Sequence, residues 1–136
     1  MTFVEDDIPT QKETINPTWD YILNSLQSIH PHKKAYFILT NNNSSYVQCT
    51  GDEGRLCIEL RVTTGDSFKH YVIGKSQNRN TQATTWTKIH SKVGPVTVHD
   101  NEVCSITDAI TIFESFYQER GLPILYNKRN ITKQFT

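Results

Sequence analysis

The chain has 136 residues, 36% hydrophobic and 10% aromatic, a length and balance that suit one globular domain rather than a disordered chain. Fourteen Lys and Arg balance fourteen Asp and Glu, so the formal net charge is zero and the positive excess of a strongly basic nucleic-acid binder is missing. No run approaches the roughly 18 apolar residues of a membrane span. The acidic opening MTFVEDDIPTQKET lacks the apolar stretch of a secretory signal, so a cytoplasmic location is expected.

Residues 1–15 are polar and acidic without a sustained period and are expected to form a flexible segment ahead of a domain spanning 16–136. Asn16-Pro17 suits a helix start, Asn as cap and Pro as first helical residue. Trp19, Ile22, Leu23, Leu26 and Ile29 then recur at helical spacing, and His30-Pro31-His32 ends the stripe. Four short strands follow: AYFILT (35–40), SYVQCT (45–50), RLCIELRVT (55–63) and FKHYVIG (68–74), separated by the turns NNNSS, GDEG and TGDS. In the third strand Leu56, Ile58, Leu60 and Val62 share one face, while Cys57, Glu59 and Arg61 share the other. KSQNRNTQATT (75–85) is a long polar loop. Strands are expected at 85–90 and 96–99, and a last edge strand within 124–132. Between these lies SITDAITIFESFYQERGLP (105–123). Ser105 and Asp108 make a capping box, Ile106, Ala109, Ile110, Phe113, Phe116 and Tyr117 one apolar face, and Gly121 with Pro123 a stop. The order predicts an α+β fold, a central antiparallel meander covered by an N-terminal and a late C-terminal amphipathic helix.

Chemistry is sparse in this pattern. The five histidines, His30, His32, His70, His90 and His99, fit no compact zinc-ligand spacing. Cys49, Cys57 and Cys104 are odd in number and widely spaced, which suits reduced core thiols better than a disulfide framework. Cys104 alone has a reason to be reactive, because it directly precedes a helix N-cap. G-x-S-x-G, P-loop and G-x-G-x-x-G motifs are absent. Lys33-Lys34 and Lys128-Arg129, with Tyr36, Tyr46, Tyr71 and Trp86, could form an RNA platform, without an RNP-like motif to support it. A small neutral protein of this kind reads best as a binding protein.

The leading helix, AYFILTNNNSSYVQCTG, GRLCIELRV, FKHYVIGK, the late helix before a proline and the short polar-aromatic tail together resemble the type-1 immunity-protein family of bacterial polymorphic-toxin and contact-dependent growth inhibition systems. The resemblance covers residues 16–135. The family usually carries an aromatic residue, often Trp, soon after its last helix, and here Tyr126 stands nearby. The resemblance implies a cytoplasmic antidote that is not an enzyme and needs no cofactor. It would bind a cognate toxin C-terminal domain one-to-one, frequently a nuclease or nucleic-acid deaminase, and occlude its active site or substrate groove. No nucleic acid or membrane partner is implied, and no catalytic residue carries over.

The contacts must therefore be argued from this chain. A toxin acting on nucleic acid has a basic groove, which an inhibitor meets with carboxylates and aromatic anchors. Asp52, Glu53 and Asp66 in turns, Asp100 and Glu102 before the late helix, and Trp86 after the long loop are the candidate toxin contacts. Two other functions stay open: a small cysteine-dependent enzyme using Cys104, and a single-stranded RNA-binding module.

Overall fold

The structure is a computed structural model that describes residues 1–7, 9–30, 34–52, 54–76, 85–91 and 94–136. Among the described residues nine strands and two α-helices follow one another: β1 (Thr2–Asp7), β2 (Thr10–Ile15), α1 (Trp19–Gln27), β3 (Tyr36–Thr40), β4 (Tyr46–Gly51), β5 (Leu56–Thr64), β6 (Ser67–Lys75), β7 (Trp86–Ile89), β8 (Val96–His99), α2 (Ile106–Tyr117) and β9 (Tyr126–Asn130). Seven strands form one antiparallel sheet in the order β2-β1-β3-β4-β5-β6-β9, and β7 and β8 pair as a separate ribbon. The α+β expectation and the meander from β3 to β6 hold, and β9 is the edge strand expected near the C-terminus.

The N-terminal segment is not a flexible lead. It forms a hairpin, with β1 seated between β2 and β3. Phe3 is fully buried and stacks on Phe37 at 6.0 Å between ring centroids. Its neighbour on that face, Glu5, is also buried, held by Lys34 and by the Tyr21 hydroxyl. A carboxylate at a core position breaks the apolar alternation by which a strand is read, and β2, as an outer strand, needs none.

Both helices cover the same face. Ile22 and Leu26 of α1 and Ala109, Ile112 and Phe113 of α2 meet Phe3, Phe37, Leu39, Val47, Ile58 and Ile73 of the sheet in one core. Each fully buried Leu, Ile or Phe contributes roughly 1.5–3 kcal/mol relative to exposure. The α2 capping box forms as expected, with the Ser105 Oγ accepting from the Asp108 N–H and the Asp108 carboxylate accepting from the Ser105 N–H. The α1 cap differs. Asn16 adopts φ 53°, and Thr18 caps instead, its Oγ1 accepting from the Tyr21 N–H at 3.2 Å. The helix stops at Gln27, ahead of Pro31, which lies outside the described residues.

Among the described residues the opposite face is covered in part, by the β7–β8 ribbon at one end and by the chain's last turn, Thr132–Phe135, over His70. At its end the β7–β8 ribbon lays Ile89 and Val98 on Cys57, Val72 and Ile131, a second small core. Cys57, expected on a polar face, is buried for this reason. Val62, expected on the core face, is 39% exposed at the far end of β5.

Candidate functional site

Alternation along β5 turns Glu59 and Arg61 away from the helices. The register puts Tyr46, Arg61 and His70 directly across three strands, with Gln48, Glu59, Val72 and Arg129 in the adjacent row. His70 is 1% exposed and lies between two neighbours, Glu59 Oε1 at 2.9 Å from Nε2 and Arg61 Nε at 3.1 Å from Nδ1. Gln48 donates to the second Glu59 oxygen at 2.7 Å. An arginine Nε can only donate, so Nδ1 must accept, and the ring proton sits on Nε2 and is given to Glu59. The guanidinium carbon of Arg61 lies 3.9 Å from the ring centre of Phe68, 4.7 Å from Phe135 and 5.4 Å from Tyr46. Phe135 comes from a final 3-10 turn, Thr132–Phe135, held where the His70 N–H donates to Thr132 Oγ1 and the Ile131 N–H to the His70 carbonyl.

A second unit adjoins the first. Trp86 on β7 faces His99 on β8, and the rings stack at 3.9 Å with a 25° tilt. The Arg129 guanidinium lies 5.3 Å from the indole centre and is gripped by Glu102 through two bonds of 2.8 Å. Glu102 is 3% exposed, and this pairing raises the Arg129 value above the usual guanidinium range. Gly74 permits the approach. A Cβ there would come within 2.7 Å of Asn101 Nδ2 and 3.1 Å of Glu102 Cγ, so the bare glycine leaves room for these side chains of the short 3-10 helix Asp100–Glu102. Trp86 stays 55% exposed at the lip of a cleft of about 640 Å³, whose walls include Glu59, Val72, Val96, Arg129 and Ile131.

No protein-family model matches the chain, and no curated protein matches it either. Its own geometry must therefore carry the functional argument. Among the described residues no helix is long and apolar enough to cross a membrane, and no three His, Cys, Asp or Glu side chains gather as a metal site.

The expected contacts divide. Trp86, Asp100 and Glu102 come together, with the Asp100 N–H donating to the Thr85 carbonyl. Asp52 joins them at that end of β5, because Arg55 of its turn donates to Thr87 Oγ1 and the Lys88 carbonyl on β7. Its carboxylate, however, accepts from the Gly54 and Arg55 N–H groups and serves the turn. Asp66 sits beyond the opposite end of β5, nine residues or about 30 Å away. Glu53 lies outside the described residues. Glu102 is buried and committed to Arg129, so the expected acidic patch is not assembled, and Asp100 is left exposed beside Trp86.

Cys104 is 1% exposed, and burial, reinforced by the Asp108 charge, pushes its thiol up to about 12, against the effect expected of a helix N-terminus. The aromatics considered for RNA divide between faces: Tyr36 and Tyr46 lie on the open face, Tyr71 on the helix-covered face beneath Lys128. The sequence reading missed Arg61, His70, Phe135 and the Glu102–Arg129 pair. The alternation of β5 did carry a signal, since it set Glu59 and Arg61 opposite the core.

Proposed function

We propose that this chain is an immunity protein, which binds and neutralises a cognate toxin domain acting on nucleic acid, one-to-one, in the cytoplasm and without chemistry of its own. The observation that carries the reading is Trp86. It is more than half exposed, yet immobilised by His99 and by an arginine that is itself clamped. A preorganised exposed Trp loses little freedom on binding, and Trp, Tyr and Arg dominate binding hot spots. Tyr46, Arg61 and Phe135 extend the same composition across the open face, beyond the cleft. The order of elements, resembling that of type-1 immunity proteins, supplies the partner class. Of the expected carboxylates and aromatic anchors, Trp86 leads this surface beside arginines, with Asp100 at the margin.

The test is co-purification with the C-terminal domain of a large secreted protein encoded immediately upstream. A stable one-to-one complex that restores growth is expected, and W86A should weaken it by at least about 30-fold, the loss typical of a hot-spot residue. Absence of any complex with that domain would sink the proposal.

A further inference from the structure

We propose that Arg61 and Tyr46 form a receptor for a carboxylate group, which a bound partner supplies from an Asp or Glu side chain or a chain terminus. The two residues are directly opposite on β4 and β5. Arg61 spends its Nε–H on His70 and packs its flat faces among Phe68, Phe135 and Tyr46. Its two Nη groups bond to no described residue, and neither does the Tyr46 hydroxyl. Burial raises the Tyr46 phenol above its ordinary value, so at neutral pH the hydroxyl remains a donor. The rings strip water from the faces of the guanidinium and leave its donor edge open, a fork whose geometry matches a carboxylate.

The charge balance selects a monoanion. Glu59 lies two residues away on the same face, but both its oxygens are engaged, one by His70 and one by Gln48, so it bonds neither Nη group of Arg61. Its charge nonetheless offsets that of Arg61 from across the His70 ring, and a site so balanced accepts one further negative charge more readily than two. The register gives Lys69 to the other face, opposite Val62, so this side of β5 and β6 adds no second cation of the kind a phosphate dianion would engage. A purely structural Arg61, tying the last turn to the sheet, would use the same ring contacts and bind no anion.

The partner's identity rests on the immunity reading, whereas the receptor can be tested on the free chain. Acetate is titrated at constant ionic strength against chloride, and the Arg61 Nε–H and Tyr46 ring resonances are followed by NMR. Saturable shifts are expected, with affinity at least about tenfold lower in R61Q and several-fold lower in Y46F, in line with the loss of charge-assisted hydrogen bonds. Y46F removes one oxygen from a half-exposed ring, so it keeps the test decisive if R61Q folds poorly. No saturable response, an unchanged Y46F, or a stronger response to inorganic phosphate than to acetate would each overturn the assignment. A missing toxin complex beside an intact acetate response would count against the immunity reading alone.

Discussion

Arg61 donates from Nε to Nδ1 of His70 across 3.1 Å, and that contact sets the tautomer of an imidazole that is 1% exposed. A proton on Nδ1 would face a donor that cannot accept, so this geometry places the ring hydrogen on Nε2, directed at Glu59. Nitrogen-15 spectra of the ring at neutral pH should show one protonated nitrogen, Nε2, with Nδ1 bearing the signature of an acceptor. R61Q should broaden this into a tautomer mixture. A doubly protonated ring at neutral pH would contradict the arrangement.

The same row shows what the sequence could and could not reveal. The period of two in RLCIELRVT placed Glu59 and Arg61 on a polar face, because strand alternation is a local property. Their partners are distant in the chain. His70 arrives through the β5–β6 register, and Phe135 comes from the last residues, which carry no periodic signal. Helix α2 was legible because its cap, apolar face and stop are all encoded within nineteen residues, 105–123. The N-terminal hairpin was not, because Glu5 occupies a core-facing position that Lys34 and Tyr21, distant in the chain, make tolerable. Glu102 looked like a surface acid, since nothing near it in sequence announces Arg129.

The thiols provide a direct test of the cysteine-enzyme alternative. Cys49, Cys57 and Cys104 are all buried, and burial is the first cause raising each thiol, Cys104 to about 12. Since the thiolate is the reactive form, the native protein should react negligibly with Ellman's reagent at pH 8. All three thiols should titrate once urea unfolds the chain. Rapid modification of one native thiol, mapped to Cys104, would reopen that function.

Acid should weaken the fold through two carboxylates. Burial tends to raise Asp108, but the Ser105 N–H and hydroxyl and the Tyr126 hydroxyl outweigh it and hold the group below the usual range. Burial opposes the charge on Glu5 as well, and Lys34 and Tyr21 again leave it lowered. A carboxylate depressed in the folded state contributes stability that is fully present above its unfolded value, about 4. That contribution is lost as pH falls through the lower folded value. Urea midpoints should therefore hold near neutrality and fall below about pH 4, with a shallower acid slope in D108N and in E5Q. Parallel slopes for wild type and both variants would show that these groups do not govern the acid limb.

The clamp beneath Trp86 should separate stability from binding. R129M leaves Glu102 buried without its cation and with the His99 N–H as its remaining bond, and an uncompensated buried charge costs about 3–5 kcal/mol. Arg129 is 30% exposed, so water recovers part of this and a loss of about 2 kcal/mol is expected. Replacing both members, as in E102M with R129M, removes the stranded charge and should be milder than R129M alone, which is the coupling a double-mutant cycle in urea detects. W86A, at a residue 55% exposed, should cost under about 1 kcal/mol of stability while it weakens the toxin complex. If R129M proved as benign as W86A toward urea, the His99 N–H would suffice for Glu102 without a cation, and the rigidity ascribed to Trp86 would lose its source.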